Sequence, residues 1–131
     1  MKKWKGKKSN NMAQVVGQFN KNVISALNLN ISEGTDILMG ATNTQHMQSS
    51  HPADYAKYGS DIPVILANPD YVGINQKDNS IEFVKEYLIN GDYVKVAVRV
   101  SSGNKYYARS LYVLNPNRVK NFITKGTLVK P

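Results

Sequence analysis

The 131-residue chain has no cysteine, which excludes disulfides, thiol nucleophiles and thiolate metal sites. No apolar run approaches the roughly 18–20 residues of a membrane span. The basic start, Met1 to Lys8, leads into Ser9, Asn10 and Asn11 rather than an apolar stretch, so it does not read as a secretion signal. No Gly-x-Ser-x-Gly elbow, Walker-type or dinucleotide glycine motif, or His-Glu-x-x-His pair occurs. Serine-hydrolase, nucleotide-binding and zinc-peptidase chemistry therefore lack sequence support. Acidic residues are missing altogether from residues 93–131.

The formal net charge is +8, and 41% of the residues are hydrophobic, which fits one globular domain with a basic balance. Residues 1–8 carry five lysines and read as a flexible basic arm or linker over residues 1–12, leaving residues 13–131 as a single domain. Residues 9–92 hold all nine acids. Residues 93–131 hold eight cations, interleaved with Tyr93, Tyr106, Tyr107 and Tyr112. Cations contact phosphates and aromatic rings stack on bases, so this distribution points to a nucleic acid partner. The blander reading is a solvated sheet face over core tyrosines.

Patterning predicts a first short strand, several short helices and apolar runs, and then an antiparallel meander. Val15–Phe19 reads as a short strand. Asn20 caps a helix over Lys21–Leu29, and Ile37–Met39 is an apolar run ended by Gly40. Thr44 starts a helical stretch containing His46, while Pro52 keeps His51 out of it. Asp61-Ile62-Pro63 starts another helix, stopped by Asn68-Pro69. Tyr71–Ile74 is a connecting strand. Ser80–Ile89 and Tyr93–Ser101 form a hairpin about a two-residue Asn90-Gly91 turn, and Lys105–Leu114 adds a third strand. Pro116 opens a last helix over Asn117–Thr124, and Thr127–Val129 is an edge strand.

A two-residue turn pairs Phe83 with Val98, Lys85 with Val96 and Tyr87 with Val94 on an apolar face. The other face pairs Glu82 with Arg99 and Glu86 with Lys95, and regular alternation adds Tyr106, Ser110 and Tyr112. Arg109 falls on the apolar side, where it has to snorkel or find a partner. The polar face reads either as solvated ion pairs, contributing about 0–1 kcal/mol each, or as a phosphate-binding surface.

His46 and His51 are the only histidines. A histidine titrating near neutrality suits RNA transesterification, which needs a base at the 2′-hydroxyl and an acid at the leaving oxygen. As zinc ligands the pair is weak, because the spacing is five and no cysteine exists.

The order of these pieces resembles the phage-associated branch of the barnase–EndoU–colicin–RelE superfamily of small RNases. The resemblance runs from Val15 to Leu114. It rests on Val16-Gly17, on His46 followed by His51, on Ile62-Pro63-Val64-Ile65-Leu66-Ala67-Asn68-Pro69-Asp70-Tyr71-Val72, on Ile81-Glu82-Phe83-Val84-Lys85, and on Ala108-Arg109-Ser110-Leu111-Tyr112. It implies an α+β fold with N-terminal helices packed on a C-terminal antiparallel meander. It also implies metal-independent RNA cleavage through a 2′,3′-cyclic phosphate, with no cofactor. His46 and His51 match the family's histidine region, Lys85 its post-strand lysine, and Ser110 with Tyr112 its terminal pair. The superfamily also includes inactive binding relatives, so fold alone does not establish activity.

The reading is a toxin-like endoribonuclease acting in the cytoplasm on RNA, tRNA among the candidates. His46 and His51 supply acid and base, Lys95 and Arg99 hold the scissile phosphate, and Ser110 and Tyr112 position it. Lys85, Tyr106 and Arg109 contact substrate. The expected protein partner is an acidic inhibitor, with no membrane partner. The rival readings are a non-enzymatic RNA- or DNA-binding module and a phage or mobile-element assembly domain.

Overall fold

A computed structural model describes residues 13–131, so the lysine-rich arm lies outside the described residues. In chain order the elements are β1 (Gln14–Gln18), α1 (Lys21–Leu27), β2 (Asp36–Met39), α2 (Ala41–Ser50), α3 (Pro52–Tyr58), a 3-10 turn (Gly59–Asp61) and α4 (Ile62–Ala67). There follow β3 (Tyr71–Ile74), β4 (Ile81–Tyr87), β5 (Asp92–Val100), β6 (Tyr106–Leu114), α5 (Pro116–Lys125) and β7 (Leu128–Val129).

Local chemistry explains most boundaries. Asn20 caps α1, its side chain accepting the Val23 N–H at 2.9 Å. α2 starts earlier than Thr44 because the Asn43 side chain accepts the Gly40 N–H at 2.9 Å and closes the first turn. His51 lies outside the helical region, at φ −141° and ψ 68°, as the following proline favours. Pro52 then opens α3, a helix the sequence reading missed, since proline at a first helical position initiates as readily as it interrupts.

The strands form one sheet in the order β1-β2-β6-β5-β4-β3-β7, antiparallel except for the β2–β6 pair. The α+β class and the meander are as expected. The segregation of helices before strands is not, because β1 and β2 join the sheet from the N-terminal half.

The hairpin register differs from expectation. Tyr87 pairs with Asp92, so residues 88–91 form a four-residue loop, and Phe83 faces Val96 while Lys85 faces Val94. Gly91, at φ 72°, donates its N–H to the Tyr87 carbonyl at 2.8 Å. The Tyr58 hydroxyl of α3 donates to Asp92 and holds the turn from outside. The slip is two residues, and two is the side-chain period, so each residue stays on its expected face.

One face buries Phe83, Val94, Val96 and Val98 in a cluster with Val23, Met47, Ile62, Ile65 and Leu66 from α1, α2 and α4. The other face is not uniformly polar. Its far end is covered by α5, where Val84, Leu114, Val119 and Leu128 form a second cluster.

β6 carries a bulge. Ala97 pairs with Ser110 and Val98 with Ala108, which leaves Arg109 as an extra residue. Three expectations change together. Arg109 is exposed rather than on the apolar side. Tyr106 turns to the core, edge-on to Phe19 at 5.0 Å between ring centroids. Tyr107, opposite Arg99, takes the place expected for Tyr106 on the second face.

Candidate active site

The Ala97–Ser110 pair sets two small side chains side by side on the second face. A pocket of about 320 Å3 opens above them, lined by Thr42, Asn43 and His46 of α2, Asp78 of the β3–β4 loop, Arg99 of β5 and Arg109 of β6. Topology brings α2 there. The parallel β2–β6 pairing covers only Tyr106 and Tyr107 of β6, and beyond it α2 and α3 lie along that strand instead. Asp54 of α3 accepts the Val113 N–H at 3.0 Å and fastens the helices to the strand. His46 is thereby carried to the bulge.

The pocket is electropositive. Among the described residues neither Arg99 nor Arg109 forms an ion pair. Asp78 is the acid facing them. The Ser80 N–H and hydroxyl hold its carboxyl below the ordinary aspartate value, with further lowering from the charges of Arg99 and Lys95. Its Oδ1 accepts the Ser80 N–H at 3.0 Å, so this anion is already engaged within its own loop. His46 Nε2 lies 3.4 Å from the Ser50 hydroxyl, one turn on.

Beside the pocket, Lys95 Nζ donates to Glu82 Oε2 at 2.8 Å, and Asn75 donates to the same oxygen at 3.3 Å. Lys95 and Glu82 are each 7% exposed. Burial pushes the Lys95 ammonium down, but Glu82 and the Tyr112 hydroxyl push it up by more, leaving it above the ordinary lysine value. The expected pairs Glu82–Arg99 and Glu86–Lys95 are absent among the described residues. Lys95 instead reaches diagonally to Glu82, which stands directly opposite Ala97, and Glu86 accepts the Tyr93 hydroxyl at 3.1 Å. Lys95 Nζ lies 4.6 Å from the centre of the Tyr112 ring, and His51 stacks on that ring at 4.8 Å.

The structure thus gathers His46, Arg99, Arg109 and Ser110 around one pocket and places His51, Tyr112 and Lys95 in an adjoining stack. It does not bring Lys85 or Tyr106 to either. Lys85 donates to the Asn68 carbonyl at 2.9 Å, with Asp70 at 4.0 Å. Thr42, Asn43 and Asp78 line the pocket without having been singled out in the sequence, and only the early start of α2, set by Asn43, could have pointed to two of them. Among the described residues no three His, Asp or Glu side chains form a metal-ligand group, and no helix is long and apolar enough to cross a membrane.

Comparison with known proteins bears on this arrangement. No curated protein and no solved structure matches the chain. The family model described as phage-Barnase-EndoU-ColicinE5/D-RelE like nuclease3 matches residues 14–121, from β1 into α5, and so covers the whole pocket. The chain belongs to this phage-associated nuclease family.

Proposed function

We propose that the protein is a metal-independent endoribonuclease, toxin-like, whose pocket at the Arg109 bulge binds the scissile phosphate of RNA. The domain comprises residues 13–131, with N-terminal helices packed on the meander. The observation that carries this reading is the meeting of His46, Arg99, Arg109 and Ser110 around one pocket, with neither guanidinium group ion-paired among the described residues.

In the proposed reaction a base takes the proton of the 2′-hydroxyl, and that oxygen attacks phosphorus. The bond from phosphorus to the 5′-oxygen breaks, and an acid supplies the proton that the leaving oxygen takes. The products are a 2′,3′-cyclic phosphate and a 5′-hydroxyl. His46 carries one proton at the pocket, and His51, held on Tyr112, carries the other. Arg99 and Arg109 stabilise the charge that grows on the phosphate oxygens, and the Ser110 hydroxyl orients one of them. Lys95, buried against Glu82, supports the Tyr112–His51 stack. In the cell the reading places the protein in the cytoplasm with RNA, tRNA included, as substrate. An inhibitor of this site would be acidic, to match the guanidinium pair.

The test is incubation of the purified protein with a defined RNA, its DNA counterpart, and the RNA carrying one 2′-deoxynucleotide at the cut. Cleavage of the RNA alone, surviving EDTA and leaving a cyclic phosphate, is the expected result. Cutting of DNA or of the 2′-deoxy position overturns the transesterification, and loss of cutting in EDTA overturns metal independence. Binding of RNA and DNA alike without cutting returns the protein to the non-enzymatic reading.

A further inference from the structure

A second pocket, about 640 Å3, adjoins the first and shares Thr42, Asn43 and Arg109 with it. Gly40, Ala41 and Tyr107 carry it away from His46 along the start of α2. Ala13 and Ser101 complete its lining, and among the described residues no acid lines it. Tyr107 is half-buried and stands opposite Arg99 on the same sheet face as Ser110. The bulged Arg109 faces both pockets. Asn43 Oδ1 is engaged by the Gly40 N–H, which leaves its amide nitrogen as a donor.

We propose that this second pocket is a nucleotide subsite, in which the base one nucleotide beyond the two that flank the scissile phosphate stacks on Tyr107, while Arg109, facing both pockets, also attracts the phosphate that attaches this nucleotide. The inference rests on the RNA reading of the first pocket and extends it. A cation repels a cationic ligand, and the absence of acid leaves nothing to attract one, so the occupant is anionic or neutral. An aromatic side chain beside an arginine suits a base attached to a phosphate, because every base presents a π-face whatever its sequence. The continuity of the two pockets through three shared residues fits a strand lying across both rather than two separate ligands.

The experiment measures two quantities on the full chain: cleavage of short RNAs, and anisotropy of labelled 2′-deoxy oligonucleotides, which this reading holds uncleavable. Each is lengthened by one nucleotide at a time, on the 5′ side and on the 3′ side of the scissile phosphate. The wild type is expected to gain roughly tenfold in kcat/KM and in affinity from one added nucleotide on a single side. Tyr107→Ala removes that gain and leaves the rate on the shortest cleavable RNA unchanged, while Tyr107→Phe keeps it. Ala41→Glu is a second variant. It places a carboxylate in the first turn of α2, where the helix tolerates it, and repels the added phosphate, so it also removes the gain. Cleavage with no dependence on length, or a gain that survives in both Tyr107→Ala and Ala41→Glu, overturns the subsite and leaves the nuclease reading standing. Length-dependent binding that Tyr107→Ala abolishes, without any cleavage of RNA, upholds the subsite and overturns the nuclease reading.

Discussion

Lys95 and Glu82 form a buried ion pair, Nζ to Oε2 at 2.8 Å, in the strip of sheet between the Ala97–Ser110 floor and the apolar end under α5. Two charges removed from water stay there only because each neutralises the other. Breaking one side leaves an uncompensated charge, so Glu82→Ala should cost about 3–5 kcal/mol. Replacing both, as Glu82→Leu with Lys95→Met, should be far milder, and chemical denaturation of the single and double variants reads the difference. The Lys95 ammonium is raised in the fold, so its contribution is full below the unfolded lysine value and is lost as pH rises through the higher folded value. The double variant should therefore lose less stability in strong alkali than the wild type.

The two histidines should separate. His46 lines the pocket and is exposed, so His46→Ala should lower the cleavage rate by about 10²–10⁴ and leave the thermal midpoint nearly unmoved. His51 acts from its stack on Tyr112. Tyr112→Ala should then lower kcat much as His51→Ala does, and combining the two should cost little more than either alone. Additive losses in that double-mutant cycle would show that the stack does not hold His51 in place.

Arg99 and Arg109 should each contribute one phosphate contact. Either alanine variant should reduce the slope of log affinity against log salt by about 0.7–0.9. Unchanged slopes would show that RNA lies elsewhere.

Acid should weaken the hairpin clamp. The Tyr58 hydroxyl, and then Lys57, hold the Asp92 carboxyl below its ordinary value. A lowered carboxyl stabilises the fold above the unfolded value, and that stability is lost as pH falls through the folded one, a window below about pH 4. Tyr58→Phe removes the larger cause. Urea midpoints measured across this window should fall less steeply for Tyr58→Phe than for the wild type.

The lysines of residues 1–8 should raise affinity for any polyanion without choosing a cut, since charge neutralisation reads no bases. Deleting them should lower affinity at low salt, matter little at about 0.3 M, and leave the fragment pattern unchanged.

Much of the architecture was legible because hydrophobic alternation survives errors of even length. The loop is two residues longer than an Asn90-Gly91 turn, yet Phe83, Val94, Val96 and Val98 stay on the core face. The bulge is an error of odd length, and alternation cannot absorb it. The clue in the sequence was Arg109 itself, a cation that strict alternation sent into the core. Tyr106 and Tyr107 are chemically alike, so nothing in their identity told which would face Phe19 and which would face Arg99. The pairing of Lys95 with Glu82 rather than Glu86 is not legible in the strand, because the partner depends on a register that the turn decides.

Arg109 can be regarded as an insertion in a strand that is complete without it. Its neighbours Ala108 and Ser110 already pair with adjacent residues of β5, so removing Arg109 would join two segments whose faces already agree. Every other side chain of β6 would keep its side of the sheet. A protein shortened by that one residue should refold into a flatter and sturdier ladder, with its pocket left a cation short. The sheet, on this view, tolerates a local imperfection so that one long basic side chain can stand where a regular strand has no room for it.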